Sequence, residues 1–502
     1  MINYIDAVVV GAGPVGLLTA IELTLGGVQV LVLERLAAPS QGMKAMSLVP
    51  LGSEALQRRG MAAAIIRAET DSLARMQAFS TQTGADLRGR AAKFSGHFAG
   101  LPIRKLAQLE PPRRAHAVDQ QALESMLAER ARSLGIEVRR GCDVTEIKPM
   151  TEGVSVTWQT PNGADQVHCA YLVGCDGGRS RVRKVAGFEF PGTAPTSTFY
   201  QVIAEVDRPE CLLPIGWRRT SGGVFSYGPI PGRLFMLDFT GPPANREAAV
   251  THEEIETVLR RVSGQDIRVN SLQSASRWAD NTRLANTYRQ GRILLAGDAA
   301  HVHSPFGGQG LTLGLVDAAN LGWKLASVIR GEMPDRLLDT YTAERRPVAE
   351  AVLANTLAQV ALLRPDPQSG ALRDLMTTLM QLDDVSQLIG AMMSGLATRY
   401  DLEQEHDEVG RLMGNQSIHH DAAVTPLYDL MQDGKGVLLD ASTGGTLSKL
   451  VAACTQRVRC VFVDARFSML IRPDACLAWT GEGNNMNGLE EVLCRWFSAK
   501  AK

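Results

Sequence analysis

An aspartate and three glycines raise the first chemical question. In RILLAGDAAHVHSPFGGQGLTLGLVDAANLGWKLA, which starts at Arg292, Asp298 closes a short apolar run. Gly307, Gly308 and Gly310 then crowd the turn before a long helical pattern. A carboxylate at the end of a buried strand can accept hydrogen bonds from hydroxyl groups. A helix that begins just after glycines offers unpaired N–H groups and the positive end of its dipole. The chemistry suggested is the holding of a phosphate or another anionic ligand.

A second set of such residues lies at the start of the chain. The apolar run Ile5–Val10 reads as a buried parallel strand. Gly11-Ala12-Gly13-Pro14-Val15-Gly16 follows and opens a helical stretch, and a second strand, Val28–Leu33, ends in Glu34 and Arg35. This is a βαβ unit with GxGxxG at its first turn and an acid after its second strand. Gly11 permits the tight turn, Gly13 admits a pyrophosphate to the backbone, and Gly16 lets helix and strand pack closely. Glu34 can accept from a ribose diol, and its charge disfavours a phosphorylated adenosine ribose. The two sets are far apart in sequence, as a long flavin dinucleotide requires. The N-terminal unit would hold ADP, Asp298 the ribityl chain, and the helix after Gly308 the pyrimidine edge of the flavin, where the reduced form is anionic.

With these motifs in view, the chain resembles the class A flavoprotein aromatic hydroxylases, the para-hydroxybenzoate hydroxylase fold. GAGPVG at Gly11–Gly16, YLVGCDGGRSRVR at Tyr171–Arg183 and LAGDAAHVHSPFGGQGL at Leu295–Leu311 carry the likeness, with DAANLGWKLA and YTAERRP downstream. The resemblance implies FAD as cofactor and NADPH or NADH as transient electron donor. It assigns Asp176, with Gly177, to both dinucleotides, and Gln120, four residues before Glu124, to the flavin. Pro305 is implied to put its backbone by the flavin's oxygen-reacting face, and backbone N–H groups of Gly308, Gly310, Leu311 and Thr312 to reach the ring. Lys44 and Leu51 stand where members commonly have arginines, and Thr312 where many have asparagine. These departures bear on the side-chain contacts and on flavin mobility. His301 and His303 are read as structural residues beside the turn.

The elements that must position these residues form an α/β chain. A Rossmann-like FAD-binding domain is expected at 1–184 and 286–398, discontinuous, with part of 75–110 contributing to the substrate domain. The region 185–285 alternates as short strands and is expected to be a mostly antiparallel substrate-binding sheet. Trp217, Phe225, Tyr227, Phe235, Met236 and Phe239 are candidates for the cavity wall, although alternation leaves their faces open. Helices are expected over 338–363 and 371–396. Residues 399–502 resemble the thioredoxin-like C-terminal domain of phenol hydroxylase and the aromatic polyketide hydroxylases, with MLIRPDACLAW as the best local match. No CxxC occurs, so thiol redox chemistry is not expected there. Cys454 and Cys460 are read as incidental, and His419 and His420 as solvated.

Composition narrows the classes further. The 502-residue chain is 45% apolar and 21% charged with net charge −1, so no basic balance points to nucleic acid. Eight scattered cysteines suggest reduced thiols and a cytoplasmic protein. No apolar run reaches membrane-span length, and no metal cluster is apparent. The expected activity is that of an NAD(P)H- and O2-using FAD monooxygenase. It would hydroxylate an aromatic substrate, phenolic or polycyclic and of polyketide type in antibiotic biosynthesis, through a flavin C4a-hydroperoxide. The cofactor would carry the chemistry, so no catalytic side chain is named. A Baeyer–Villiger or epoxidising monooxygenase on the same fold is the enzyme alternative; a non-catalytic flavoprotein binding module is the alternative of another class. A halogenase is disfavoured because WxWxIP is absent. Monomer and homodimer both remain open.

Overall fold

The computed structural model describes residues 4–40, 42, 45–84, 93–105, 113–243, 245, 248–404, 406–420, 423–451 and 456–497. Lys44 and Cys454 lie outside the described residues. The chain builds the expected α/β architecture around three main sheets.

The largest sheet carries the Rossmann-like topology. Its order is Arg289–Gln290, Ile293–Leu295, Gly163–Gly174, Tyr4–Val10, Val30–Glu34, Glu137–Arg140, with Gly153–Thr160 and Asp143–Met150 added to the long strand 163–174. Tyr4–Val10 runs parallel to both Val30–Glu34 and Gly163–Gly174, and Ile293–Leu295 runs parallel to Gly163–Gly174. The register matches Val10 to Leu33 and Gly174, and Leu295 to Gly174. The four strands therefore end in one row. Gly11, Glu34, Asp176 and Asp298 all follow from that row, at the carboxyl edge where open α/β sheets bind ligands. Strands buried on both faces explain the near-continuous Val/Leu runs: Val8, Val9, Val32, Leu33 and Leu172 are fully buried.

A five-stranded antiparallel sheet occupies the middle of the chain, in the order Gly216–Thr220, Gly223–Tyr227, Arg233–Asp238, Thr198–Val206, Val269–Ala279. The alternation pattern also passed over a helix, His252–Ser263, which covers one face of this sheet. Its signals are present in the sequence: Thr251 caps the start, accepting from the Glu254 N–H, Glu253 and Glu254 occupy the first turn, Arg260 and Arg261 the last, and Gly264 terminates it.

The helix Asp339–Leu363 forms as expected, but the next expected helix is two, Pro367–Leu379 and Asp383–Ser394. The break is local: the chain turns at Met380–Leu382, and Asp383 and Asp384 supply the acidic first turn of a new helix.

The C-terminal sheet has Gly436–Asp440 parallel to Val458–Phe462 and antiparallel to Phe467–Ile471, which pairs with Leu477–Glu482. Helices Thr446–Val451 and Leu489–Phe497 complete the βαβ-plus-hairpin order. Among the described residues no helix is long and apolar enough to cross a membrane, and no group of three or more His, Cys, Asp and Glu residues is placed to hold a metal.

Candidate functional site

The three fingerprint glycines have unlike surroundings. Gly11 has φ +107°, and a side-chain carbon there would lie 2.4 Å from the Cys175 carbonyl oxygen. One at Gly16 would lie 1.9 Å from the Gly11 carbonyl oxygen. By contrast, nothing lies within 4 Å of the corresponding point at Gly13. The first and third glycines are thus filled by the fold itself, and the second faces open space. Pro14 begins the helix Pro14–Leu25, and no side chain caps that helix. Val15 packs against Gly297 and Gly314, which locks the fingerprint to the second turn and to the long helix Gln309–Ile329.

Glu34 is held by the backbone. Its carboxylate accepts from the Ala12 N–H at 2.8 Å and from the Leu36 N–H at 2.8 Å. Arg35 is exposed beside it. Asp176 accepts from the N–H groups of Arg181 (2.6 Å) and Val182 (3.1 Å) through Oδ2, while its buried Oδ1 has no partner among the described residues. Gln120 donates to Glu124 at 2.7 Å, and its own N–H donates to the Ala45 carbonyl at 3.1 Å, which puts it against the loop after the second strand.

Asp298 is exposed at the end of a fully buried strand, and the turn beneath it is braced from behind. Buried Asp317 accepts from the Gly297 N–H (3.1 Å) and from His301 Nε2 (2.6 Å) through one oxygen, and from Arg345 (2.8 Å) through the other. Burial alone would raise the Asp317 pKa, but Arg345 and His301 outweigh it and hold the carboxyl below its ordinary range. Burial pushes the His303 pKa down to about 4, so this ring stays neutral at physiological pH. Its Nδ1 lies 2.7 Å from the Ser304 carbonyl oxygen. Both histidines therefore have structural partners at the turn.

The long helix starts at Gln309. Gly308 precedes it with φ +63°, no side chain caps its start, and nothing stands within 4 Å of where a Gly308 side chain would point. An uncapped helix start, open space before it and an exposed carboxylate nearby in the chain suit a long polar ligand with an anionic edge. The residues present fit FAD. They could hold its pyrophosphate at Gly13–Gly16, a ribose at Glu34, the ribityl hydroxyls at Asp298 and the ring at Gly308–Thr312. Asp298→Ala is expected to weaken FAD binding by roughly 1.5–3 kcal/mol, the worth of a charge-assisted hydrogen bond. Titration of the apoprotein with FAD checks this, and unchanged affinity removes Asp298 from the site.

The middle sheet divides the candidate wall residues by face. Trp217 pairs with Ser226, Ser226 with Phe235, Phe235 with Gln201, and Gln201 with Ser276. Paired residues share a face, and this face meets the turn. The Phe306 ring lies 5.3 Å from Trp217, 5.9 Å from Phe235 and 5.6 Å from Phe199, centroid to centroid. Phe239 packs against the same cluster. Phe225, Tyr227 and Met236 have the opposite parity and pack with Ile255, Val258 and Leu259 of the helix His252–Ser263. They stabilise the outer layer instead of facing Phe306. Sequence reading passed over Gln201, Ser226 and Ser276, because isolated polar residues in strands carry no signal of their face. Gln201 is buried, and its Nε2 has no partner among the described residues.

The chain is similar to known proteins over nearly its whole length. Residues 4–356 match the FAD binding domain family, and residues 406–499 match the aromatic-ring hydroxylase C-terminal family. A 12-dehydrotetracycline 5-monooxygenase/anhydrotetracycline 6-monooxygenase of Streptomyces rimosus subsp. rimosus is 37% identical, over 99% of this chain and 99% of that protein. A dialkyldecalin synthase of Streptomyces rugosporus is 34% identical, over 98% of this chain and 99% of that protein. The solved structure of OxyS anhydrotetracycline hydroxylase from Streptomyces rimosus superposes with TM-score 0.86 at 34% identity, covering 99% of this chain and 100% of that one.

Proposed function

The chain belongs to the FAD-dependent aromatic-ring hydroxylases, and from that premise we propose that it uses NADPH or NADH to hydroxylate a phenolic, polycyclic substrate of polyketide type. It is a flavin-dependent monooxygenase.

FAD, when bound, would supply the redox chemistry between the nicotinamide, oxygen and the aromatic ring. The protein's residues bind, orient and exclude water. Gly13 and the start of the helix Pro14–Leu25 take the pyrophosphate, Glu34 the adenosine ribose, and Asp298 the ribityl chain. The N–H groups at Gly310, Leu311 and Thr312 would meet the pyrimidine edge, where the helix dipole favours negative charge, while the Gly308 N–H donates to the Pro305 carbonyl at 3.1 Å. The Asp317–Arg345 pair holds that turn in place.

The observation that carries the substrate reading is the sheet face over Phe306. Trp217, Phe199 and Phe235 give it flat apolar walls. Within it runs a polar row, Ser226, Gln201 and Ser276, two members of which are buried. Such a face suits a fused aromatic ring system with hydroxyl or carbonyl substituents. Gln201 Nε2, which has no partner among the described residues, would donate to one of these oxygens and so fix which ring carbon meets the flavin.

The test is NADPH and NADH oxidation by the FAD-loaded protein, with simple phenols and polycyclic phenols in parallel. The expected outcome is substrate-stimulated oxidation, strongest with the polycyclic compounds, and a product heavier by one oxygen atom. The dialkyldecalin synthase among the relatives makes product mass the decisive reading. An isomerised product of unchanged mass, formed without nicotinamide, would overturn the proposal.

A further inference from the structure

A two-stranded hairpin, Phe94–Phe98 with Leu101–Arg104, brings its tip to the substrate-facing side of the middle sheet. The His97 ring stands edge-on to Trp217 at 5.1 Å, and a side-chain carbon at Gly100 would lie 3.3 Å from the Trp217 Cβ. The tip backbone is unusual. Ala99 has φ +51° and Gly100 φ +79°, and Ala99 is fully buried. A left-handed alanine is uncommon and persists where its surroundings fix it. Two side chains do so here. Gln359 Oε1 accepts from the Ala99 N–H at 3.0 Å, and Arg373 Nη1 donates to the Ala99 carbonyl at 2.7 Å.

Gln359 also touches the turn before the long helix. It is fully buried on the helix Asp339–Leu363, and its Nε2 donates to Asn355 Oδ1 at 2.7 Å and lies 3.5 Å from Met393 Sδ. A donor on one side and an acceptor on the other fix which way the amide points. Gly307 has φ +81°, and a side-chain carbon there would lie 3.1 Å from Gln359 Nε2 and 2.2 Å from Met393 Cε. One amide therefore holds the hairpin tip with its oxygen and abuts the turn at Gly307 with its nitrogen. The hairpin has another buried anchor at the end opposite its tip, where the Arg104 N–H donates to Ser386 Oγ at 2.9 Å.

We infer that Gln359 is a positioning residue for the hydroxylation: it keeps the hairpin tip beside Trp217 in register with the turn assigned to the flavin ring. The inference rests on the flavin position and the oxygenase reading given above. Oxygen transfer needs the ring carbon and the flavin at a fixed, short separation. When the register is lost, nicotinamide electrons still reach oxygen, but the reduced nicotinamide, O2 and a proton then yield oxidised nicotinamide and hydrogen peroxide in place of hydroxylated product and water.

The test is amide hydrogen exchange of residues 94–104, followed with and without FAD in the full-length wild type, Gln359→Met and Ser386→Ala. Methionine keeps the length of the side chain and loses both hydrogen bonds. FAD should slow exchange in the wild-type hairpin by roughly threefold. Gln359→Met should take up FAD, read from flavin absorbance after reconstitution, and show no such slowing. Ser386→Ala, which loosens the same hairpin away from Gly307, should keep it. Gln359→Asn, whose shorter amide falls short of the Ala99 N–H, should behave as Gln359→Met and serves if the methionine variant does not fold. With a polycyclic phenol that stimulates the wild type, Gln359→Met should release roughly threefold more peroxide per nicotinamide oxidised, at an unchanged KM for the nicotinamide. Absence of slowing in the wild type, equal slowing in both Gln359 variants, or its loss in Ser386→Ala as well would overturn the link. Equal peroxide yields would overturn the positioning role. Exchange is read without turnover, so a protein that no phenol stimulates would fail the oxygenase reading and leave the link to the exchange result.

Discussion

Replacing Arg472 with methionine is expected to lower the unfolding free energy by about 3–5 kcal/mol, because it removes the guanidinium that two buried carboxylates share. Arg472 is fully buried and donates to both oxygens of Glu344, at 2.9 and 2.7 Å, and to Asp474 at 2.5 Å. Lys324 reaches the same Glu344 at 2.9 Å, and Asn320 donates to Glu344 at 2.6 Å and to Asp474 at 3.0 Å. The guanidinium also lies over the Trp496 ring at 4.5 Å. This cluster joins the C-terminal hairpin to the two helices behind the turn, Gln309–Ile329 and Asp339–Leu363. Burial by itself would raise the Glu344 pKa, but Arg472 and Lys324 overcome it and hold the carboxyl at about 2. A depressed carboxylate contributes stability that is complete above its ordinary 4.5 and is lost as pH falls through about 2. Urea unfolding of wild type and variant across that interval checks the prediction. The wild type should lose stability gradually between these values, while Arg472→Met should begin lower and lose less of it on acidification. Equal midpoints at neutral pH would show that the cluster does not fasten the C-terminal unit.

Local spacing made part of this molecule legible and left the rest hidden. Gly11, Gly13 and Gly16 lie within one turn, and Asp298 and Gly308 within one strand–turn–helix passage, so their geometry follows from short-range backbone rules. The faces of the middle sheet do not follow in that way. Period-two alternation gives the relative parity of Phe235 and Met236 but not which of them looks inward. Arg233–Asp238 is buried on both faces, which erases the polar–apolar contrast that would decide it. Nothing in local spacing marks Lys324, Glu344 and Arg472 as one cluster, because they are distant in the chain and only the fold brings them together. Lys324 shows how far burial changes such a residue: its pKa falls to about 8, chiefly by desolvation. The helix His252–Ser263 was recoverable from its caps and charge order, although the surrounding strand pattern masked it.

Gly308→Val is expected to abolish productive FAD binding while leaving the fold largely intact, and the neighbouring glycines show why this position separates the two effects. At Gly16 an added carbon would meet the Gly11 carbonyl oxygen at 1.9 Å, so substitution there drives backbone into backbone and disrupts the fingerprint itself. At Gly308 an added carbon meets nothing within 4 Å. The folded chain resists only through its positive φ of +63°, a left-handed conformation that costs an L-residue roughly 1–2 kcal/mol. The open space before the long helix, however, is the space assigned to the flavin ring, and a branched side chain would stand between ring and backbone N–H groups. A loss of FAD affinity of roughly 100-fold, equivalent to ~2.7 kcal/mol, is expected. Circular dichroism should remain near wild type, while flavin content after reconstitution and the rate of NADPH-driven flavin reduction should collapse. Gly16→Val should instead lose both folded signal and flavin. If Gly308→Val retained normal flavin content and reduction, the turn would serve packing alone, and the helix start could not be the flavin's anchor.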